Sequence, residues 1–215
     1  RGHMGQKKPV VYAFVDSQNL NLGVRSAGWR IDYRKFRLYL KNKYGVSQAF
    51  IFIGMVANNQ RLYTELQHAG FILVFKPTIR YIKDGKETVK GNVDAELVLY
   101  AAAIEYPNYD KAVIVTGDGD FACLMEFLED KGKLLRILTP NAKYSQLLKP
   151  FASYIVRVDQ LKQSLAYNER SNQKDRHRRS VETLGLSGPG DVKSVSITRV
   201  KVNRKNRGKR GRGRR

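Results

Sequence analysis

Val113-Ile114-Val115-Thr116-Gly117-Asp118-Gly119-Asp120-Phe121 decides how the chain is read. Three branched aliphatic residues run into a turn that carries two carboxylates, each preceded by a glycine. The apolar run is too short for a helix and too unbroken for a half-exposed strand. It predicts a buried parallel strand, then an acidic turn, then a helix beginning at Phe121. In an open α/β sheet, chemistry gathers at the carboxyl ends of the strands, which is where this turn falls.

Outward from it the same layout recurs. Residues 10–15 predict a central strand ending at Asp16-Ser17-Gln18-Asn19, with Leu20, Leu22 and Val24 in the helix beyond and a break at Gly28. Asp32 caps a helix through about Tyr44 that carries Phe36, Leu38, Tyr39 and Leu40 and closes at Gly45. Residues 49–53 and 71–75 predict two more strands around a helix with Leu62, Leu66 and Ala69. A helix from Asn92 places Val93, Leu97, Val98, Ala101 and Ile104 on one apolar side, and Pro107 closes it. Residues 134–138 and 154–158 predict the last strands, with a short helix through Leu147 and Leu148 between them and another from Asp159 to about Tyr167. Alternation of this kind predicts an α/β fold: a mostly parallel central sheet with helices on both faces.

Two segments depart from the rhythm. Ile79-Arg80-Tyr81-Ile82-Lys83 and Glu87-Thr88-Val89-Lys90 flank Asp84-Gly85, which predicts a tight hairpin. Its cations, Lys76, Arg80, Lys83, Lys86 and Lys90, face only Asp84 and Glu87 in charge. Beyond about Asn168 hydrophobic periodicity is lost, and the chain closes on Arg207-Gly208-Lys209-Arg210-Gly211-Arg212-Gly213-Arg214-Arg215. Low-complexity Arg/Gly sequence cannot build a core and is expected to be disordered when unbound. The division expected is a cloning remnant at 1–3, a folded domain at 4–167 and a basic tail at 168–215.

Charge sets the partner class. Of the net +21, the residues from Arg170 onward supply +13, sixteen Lys/Arg against three acids, and the rest supplies +8. A polyanion is the expected partner, nucleic acid ahead of an anionic membrane surface. No amphipathic apolar face accompanies the tail, which argues against membrane attachment. No apolar run is long enough to span a bilayer, and no signal-peptide pattern follows Met4, so a cytoplasmic protein is expected. A single cysteine, Cys123, excludes an internal disulfide and a cysteine-built zinc site; its apolar neighbours predict a buried structural thiol.

Asp16, Asp94, Asp118 and Asp120 each stand at a strand end or a helix start. Any one alone can be a helix cap or a partner of the helix dipole. Together, at neighbouring strands in the middle of a doubly wound sheet, they form a converging set that would hold protons unless a cation neutralised it. Oxygen donors without organised His or Cys suit Mg²⁺ or Mn²⁺, and such a site suits phosphodiester hydrolysis. Gln18 stands where a haloacid-dehalogenase-like phosphatase needs a second Asp, and Asp16 where a Toprim domain has Glu. An ATPase phosphate loop is also missing.

Phe14-Val15-Asp16-Ser17-Gln18-Asn19-Leu20, Lys90-Gly91-Asn92-Val93-Asp94 and Thr116-Gly117-Asp118-Gly119-Asp120-Phe121, in that order, resemble the three signature segments of NYN domains, in the LabA-like branch of the PIN-like nucleases. The resemblance covers about residues 10–165. It implies a three-layer α/β/α PIN-like (Rossmannoid) fold and a metal-dependent ribonuclease leaving 5′-phosphate and 3′-hydroxyl ends. By motif position it implies Asp16, Asp94, Asp118 and Asp120 as metal-binding acids, assisted by Asn19. The hairpin cations would then rim the pocket and hold RNA phosphates, with Tyr81 stacking a base or packing across the hairpin. The Arg/Gly tail, through Arg207, Lys209, Arg210, Arg212, Arg214 and Arg215, would bind RNA backbone, single-stranded or structured. The competing expectation is an RNA-binding or recruiting module that uses the same basic surface and does not cut. A homodimer is compatible with either.

Overall fold

A computed structural model describes residues 8–55, 59–76, 79–83, 86–90 and 94–168, with backbone alone at 79–83 and 86–90. Six strands form one parallel sheet: β1 (Val11–Asp16), β2 (Val46–Gly54), β3 (Ile72–Lys76), β6 (Lys111–Val115), β7 (Leu134–Thr139) and β8 (Ile155–Arg157). Their order is β3-β2-β1-β6-β7-β8, so the chain winds outward from β1 in one direction, then crosses back to lay β6 on its other edge. The order reverses between β1 and β6, the position at which an open α/β sheet leaves a crevice. β4 (Ile79–Lys83) and β5 (Lys86–Lys90) pair antiparallel with Lys83 opposite Lys86, giving the expected hairpin. Its turn, Asp84-Gly85, lies outside the described residues.

The period of two along β1 divides the interior. Val11, Ala13 and Val15 join a core under α1 (Ser17–Ser26), α2 (Tyr33–Tyr44) and α3 (Gln60–Ala69), through Leu20, Val24, Phe36, Leu40 and Leu66. Tyr12 and Phe14 point into a second core under α4 (Asp94–Leu99) and α5 (Ala122–Asp130), through Leu97, Leu124, Met125 and Leu128. The sheet is thus covered on both faces, as its unbroken apolar strands require. Phe14 and Phe50 stack with ring centroids 5.5 Å apart, pinning β1 to β2 in register.

Helix ends follow their chemistry. Asp32 caps α2 by accepting the N–H groups of Arg34 and Lys35 at 3.0 and 3.2 Å. Gly45 and Gly70 end α2 and α3 in the left-handed conformation, which a side chain would strain.

Three expectations are corrected. Cys123 is exposed: the buried positions around α5 are Phe121, Leu124, Met125 and Leu128, and Cys123 falls outside that stripe. Ile104 is also exposed, at 47 %. Residues 100–104 continue α4 as a π-turn, with the N–H of Glu105 reaching back to Tyr100 C=O at 2.8 Å, and the wider turn rotates Ile104 off the apolar side. The expected helix over 159–167 shrinks to a 3₁₀ turn, Val158–Leu161, and one α-turn, α6 (Lys162–Leu165), before Ala166 bridges back to Ile31.

Candidate active site

Asp16 is both the last residue of β1 and the cap of α1. Its extended backbone lets Oδ1 accept the N–H of Asn19 at 3.0 Å. The carboxyl is buried, at 4 % exposure. Oδ2 accepts a hydrogen bond from the Thr116 hydroxyl at 3.2 Å, across the β1–β6 pairing. Burial raises its pKa to about 6. The bonds from Asn19 and Thr116 pull it down, while the charges of Asp94 and Asp118 push it up. A carboxyl in this setting holds its proton far more readily than an exposed one.

Asp118 continues from β6 in extended conformation and caps a 3₁₀ turn, Gly119–Phe121, by accepting the Asp120 N–H at 3.1 Å. Its own N–H donates to Thr116 Oγ1 at 3.2 Å. The simple capping roles are therefore filled by both Asp16 and Asp118, and neither role engages every carboxylate lone pair. Asp94 is the first residue of α4 and half-buried; α4 packs on β1 and on the Gly119–Phe121 turn. Thus Asp94 and Asp118 each lie within electrostatic reach of Asp16. Asp120 faces solvent, and the carboxylates raising Asp16 are Asp94 and Asp118. As the side chains stand, no three Asp, Glu, His or Cys residues among the described ones approach closely enough to enclose an ion.

Asn19, one turn into α1, accepts the Gly117 N–H on Oδ1 at 2.7 Å and so ties the helix to the acidic turn. Gly117 C=O in turn accepts the Ser145 N–H at 2.9 Å. The glycines of this turn are needed for close packing. A Cβ on Gly119 would overlap the Ser145 side chain, and one on Gly117 would press on Pro140 and Tyr144 at 3.3 Å. Both keep negative φ.

Of the expected RNA-contacting residues, Lys76 is described, and it pairs with Glu96 of α4 at 2.9 Å, as a charge contact without hydrogen-bond alignment. That pair ties the end of β3 to the helix that begins with Asp94. The side chains of Arg80, Tyr81, Lys83, Lys86 and Lys90 lie outside the described residues, as do Arg207, Lys209, Arg210, Arg212, Arg214 and Arg215.

Sequence reading missed a cleft of about 300 Å³ beside the acids, lined by Asn19, Leu22, Gly117, Asn141, Lys143 and Tyr144 among others. Its only trace in the sequence is Thr139-Pro140-Asn141, which reads simply as a strand end. Asn141 holds the cleft together: Nδ2 donates to Gly23 C=O at 2.8 Å, and Oδ1 accepts the Lys143 N–H at 2.7 Å. Gly23 leaves no room for a side chain, because a Cβ there would overlap Pro140.

Comparison with known proteins bears on this geometry. Residues 10–165 match the family model of the NYN domain. The chain is also similar to a crystal structure of a protein of unknown function from Vibrio parahaemolyticus. The two are 26 % identical with a TM-score of 0.60, over 76 % of this chain and 99 % of that one. No curated protein matches the chain. Among the described residues, no helix is long and apolar enough to cross a membrane.

Proposed function

The chain belongs to the NYN domain family of the PIN-like nucleases, and from that membership we propose that it is a metal-dependent ribonuclease acting at Asp16, Asp94 and Asp118. The observation that carries this reading is that the charges of Asp94 and Asp118 both bear on the buried carboxyl of Asp16, at the crevice where the sheet order reverses. A structural cap has no need of a buried carboxyl whose charge is opposed by two others.

The donor chemistry fits a hard divalent cation, Mg²⁺ or Mn²⁺: every candidate ligand is a carboxylate oxygen or a neutral amide. Asp16, Asp94 and Asp118 would hold it, drawn inward from their present spacing, with Asp120 at the rim. Such an ion, when bound, supplies an acidified water and charge relief at the departing oxygen.

The chain's own groups have separate tasks. Thr116 and the Asn19 N–H orient the Asp16 carboxylate and favour its charged form. Asp118 is fixed by its link to Thr116. Asn19, with Oδ1 engaged by Gly117, would use Nδ2 as a donor for a phosphate oxygen. In the reaction, water adds to phosphorus in line with the 3′-oxygen, that bond breaks, and the 3′-oxygen takes up a proton to leave a 5′-phosphate and a 3′-hydroxyl.

The test is cleavage of a single-stranded RNA with Mn²⁺ by the wild-type chain, Asp118→Asn and Asp16→Asn. The expected result is a loss of about a hundredfold or more in each variant. Equal cleavage by all three would overturn the reading. The spacing of the acids favours one alternative, an RNA-binding module that does not cut. It expects metal-independent binding and no cleavage with any divalent ion.

A further inference from the structure

We propose that the cleft between α1 and the loop after β7 is a nucleotide subsite that receives one base and sugar of single-stranded RNA next to the bond to be cut. This rests on the ribonuclease reading for what happens next door, but the cleft has its own chemistry.

Three observations carry it. First, the cleft and the acids share walls. Asn19 lines the cleft, while its backbone N–H is held by Asp16. Gly117 lines it too, and Asp118 follows directly in the chain. A strand whose phosphate sits at the acids therefore has its neighbouring nucleoside at the cleft mouth. Second, the lining suits that guest. Tyr144 offers a ring, Leu22 an aliphatic surface at 56 % exposure, Lys143 an ammonium, and Asn19 and Asn141 amides. None of the lining residues is acidic, in contrast to the adjoining site. Aromatic rings stack bases of any identity, and cations hold the backbone beside them. A volume of about 300 Å³ is at the lower end for ligand clefts, right for one nucleoside and too small for a folded partner.

Third, the cleft is built before anything enters it. Asn141 bridges to α1 through Gly23 and Ser26, at 2.8 and 3.3 Å, and Ser145 is bonded to Gly117. Pro140 packs directly on Gly23. Tyr144 lies against the core formed around Phe14 and Leu148, which limits its freedom to swing away. A preorganised wall loses little freedom on binding.

The experiment measures binding of a fluorescent oligouridylate to the full chain by anisotropy, with EDTA present so that no cutting occurs. Salt is set at about 0.3 M, where contacts to the basic tail are largely screened. The variants are Leu22→Glu, Lys143→Glu and Tyr144→Ala, with Tyr144→Trp as the stacking-competent partner. Leu22 and Lys143 are exposed, so their exchange leaves the fold intact, and thermal melting checks this for each variant. The expected result is binding weakened about tenfold or more by Leu22→Glu, Lys143→Glu and Tyr144→Ala, and kept by Tyr144→Trp. Binding by Leu22→Glu and Lys143→Glu equal to wild type would overturn the subsite. A parallel cleavage assay with Mn²⁺ separates the two claims. Cleavage with no effect of the cleft variants on binding leaves the nuclease standing and removes the subsite. Cleft-dependent binding without cleavage does the reverse.

Discussion

The hydroxyl of Thr116 donates to Oδ2 of Asp16 at 3.2 Å, joining two buried side chains, one at the end of β1 and one just past the end of β6. The hydroxyl oxygen of Thr116 in turn accepts the N–H of Asp118 at 3.2 Å. One hydroxyl therefore orients both acids. Thr116→Val keeps the shape and removes both bonds. The expected loss is about 1–3 kcal/mol of stability in urea unfolding, with cleavage reduced as the two carboxylates lose their common anchor. Unchanged stability and activity would show that the hydroxyl is incidental.

Asp16 also gives the metal-free protein a defined pH response. Its pKa is about 6 when folded and 3.8 as a free carboxyl, so the folded state binds the extra proton. Stability from this group is greatest below about pH 4, falls as pH rises through 6, and is level above that. The full span is at most about 3 kcal/mol. Asp16→Asn removes the dependence, so at pH 7.5 without metal the variant is expected to melt higher than wild type, and near pH 4 to match it. A variant that melts lower at pH 7.5 would contradict this.

The two acids of the 116–121 turn are not equivalent. Asp118 acts on Asp16 and is half-buried, whereas Asp120 is exposed. Asp118→Asn is expected to reduce Mn²⁺-dependent cleavage at least tenfold more than Asp120→Asn. Equal losses would show that Asp120 contributes as much as Asp118 and overturn the distinction.

Gly23 stands against Pro140 with no space for a methyl group. Gly23→Ala forces helix α1 and the β7 loop apart, costing about 1–3 kcal/mol. Thermal melting reads this directly, and RNA binding at the cleft is expected to fall with it.

Deleting residues 170–215 removes sixteen of the forty basic side chains. Six of them lie in the terminal Arg/Gly run, so the slope of log affinity against log salt is expected to become shallower by as much as about four. An unchanged slope would mean the tail stays off the RNA.

The central strands were legible because both faces of the sheet are covered, leaving Val10–Val15 and Val113–Val115 as unbroken apolar runs. The neighbouring placement of Asp16 and Asp118 followed from that, and β1 does pair with β6. The edges were harder. β2 begins three residues before its apolar run, at Val46, since Ser47 and Gln48 are exposed and carry no hydrophobic signal. The need for Gly117 and Gly119 carries no local signal, because what demands them is Tyr144 and Ser145, about 26 residues away in the chain. The cleft was invisible for the same reason. Leu22 and Tyr144 meet only in three dimensions, and Leu22 on its own reads as one more apolar helix residue.

Val15 pairs with Val115, so the strand that carries the first acid finds its partner only after a hundred residues have intervened. Closing so long a loop is slow and gives no stabilisation until it is complete. The crevice therefore has no partially formed version. A chain ending short of Lys111 leaves β1 with a bare edge, Asp16 without Thr116, and Asn19 without Gly117 to fix its amide. Any catalytic ability must then arise late and all at once in folding, and fragments released by proteolysis between α4 and β6 are expected to be inert.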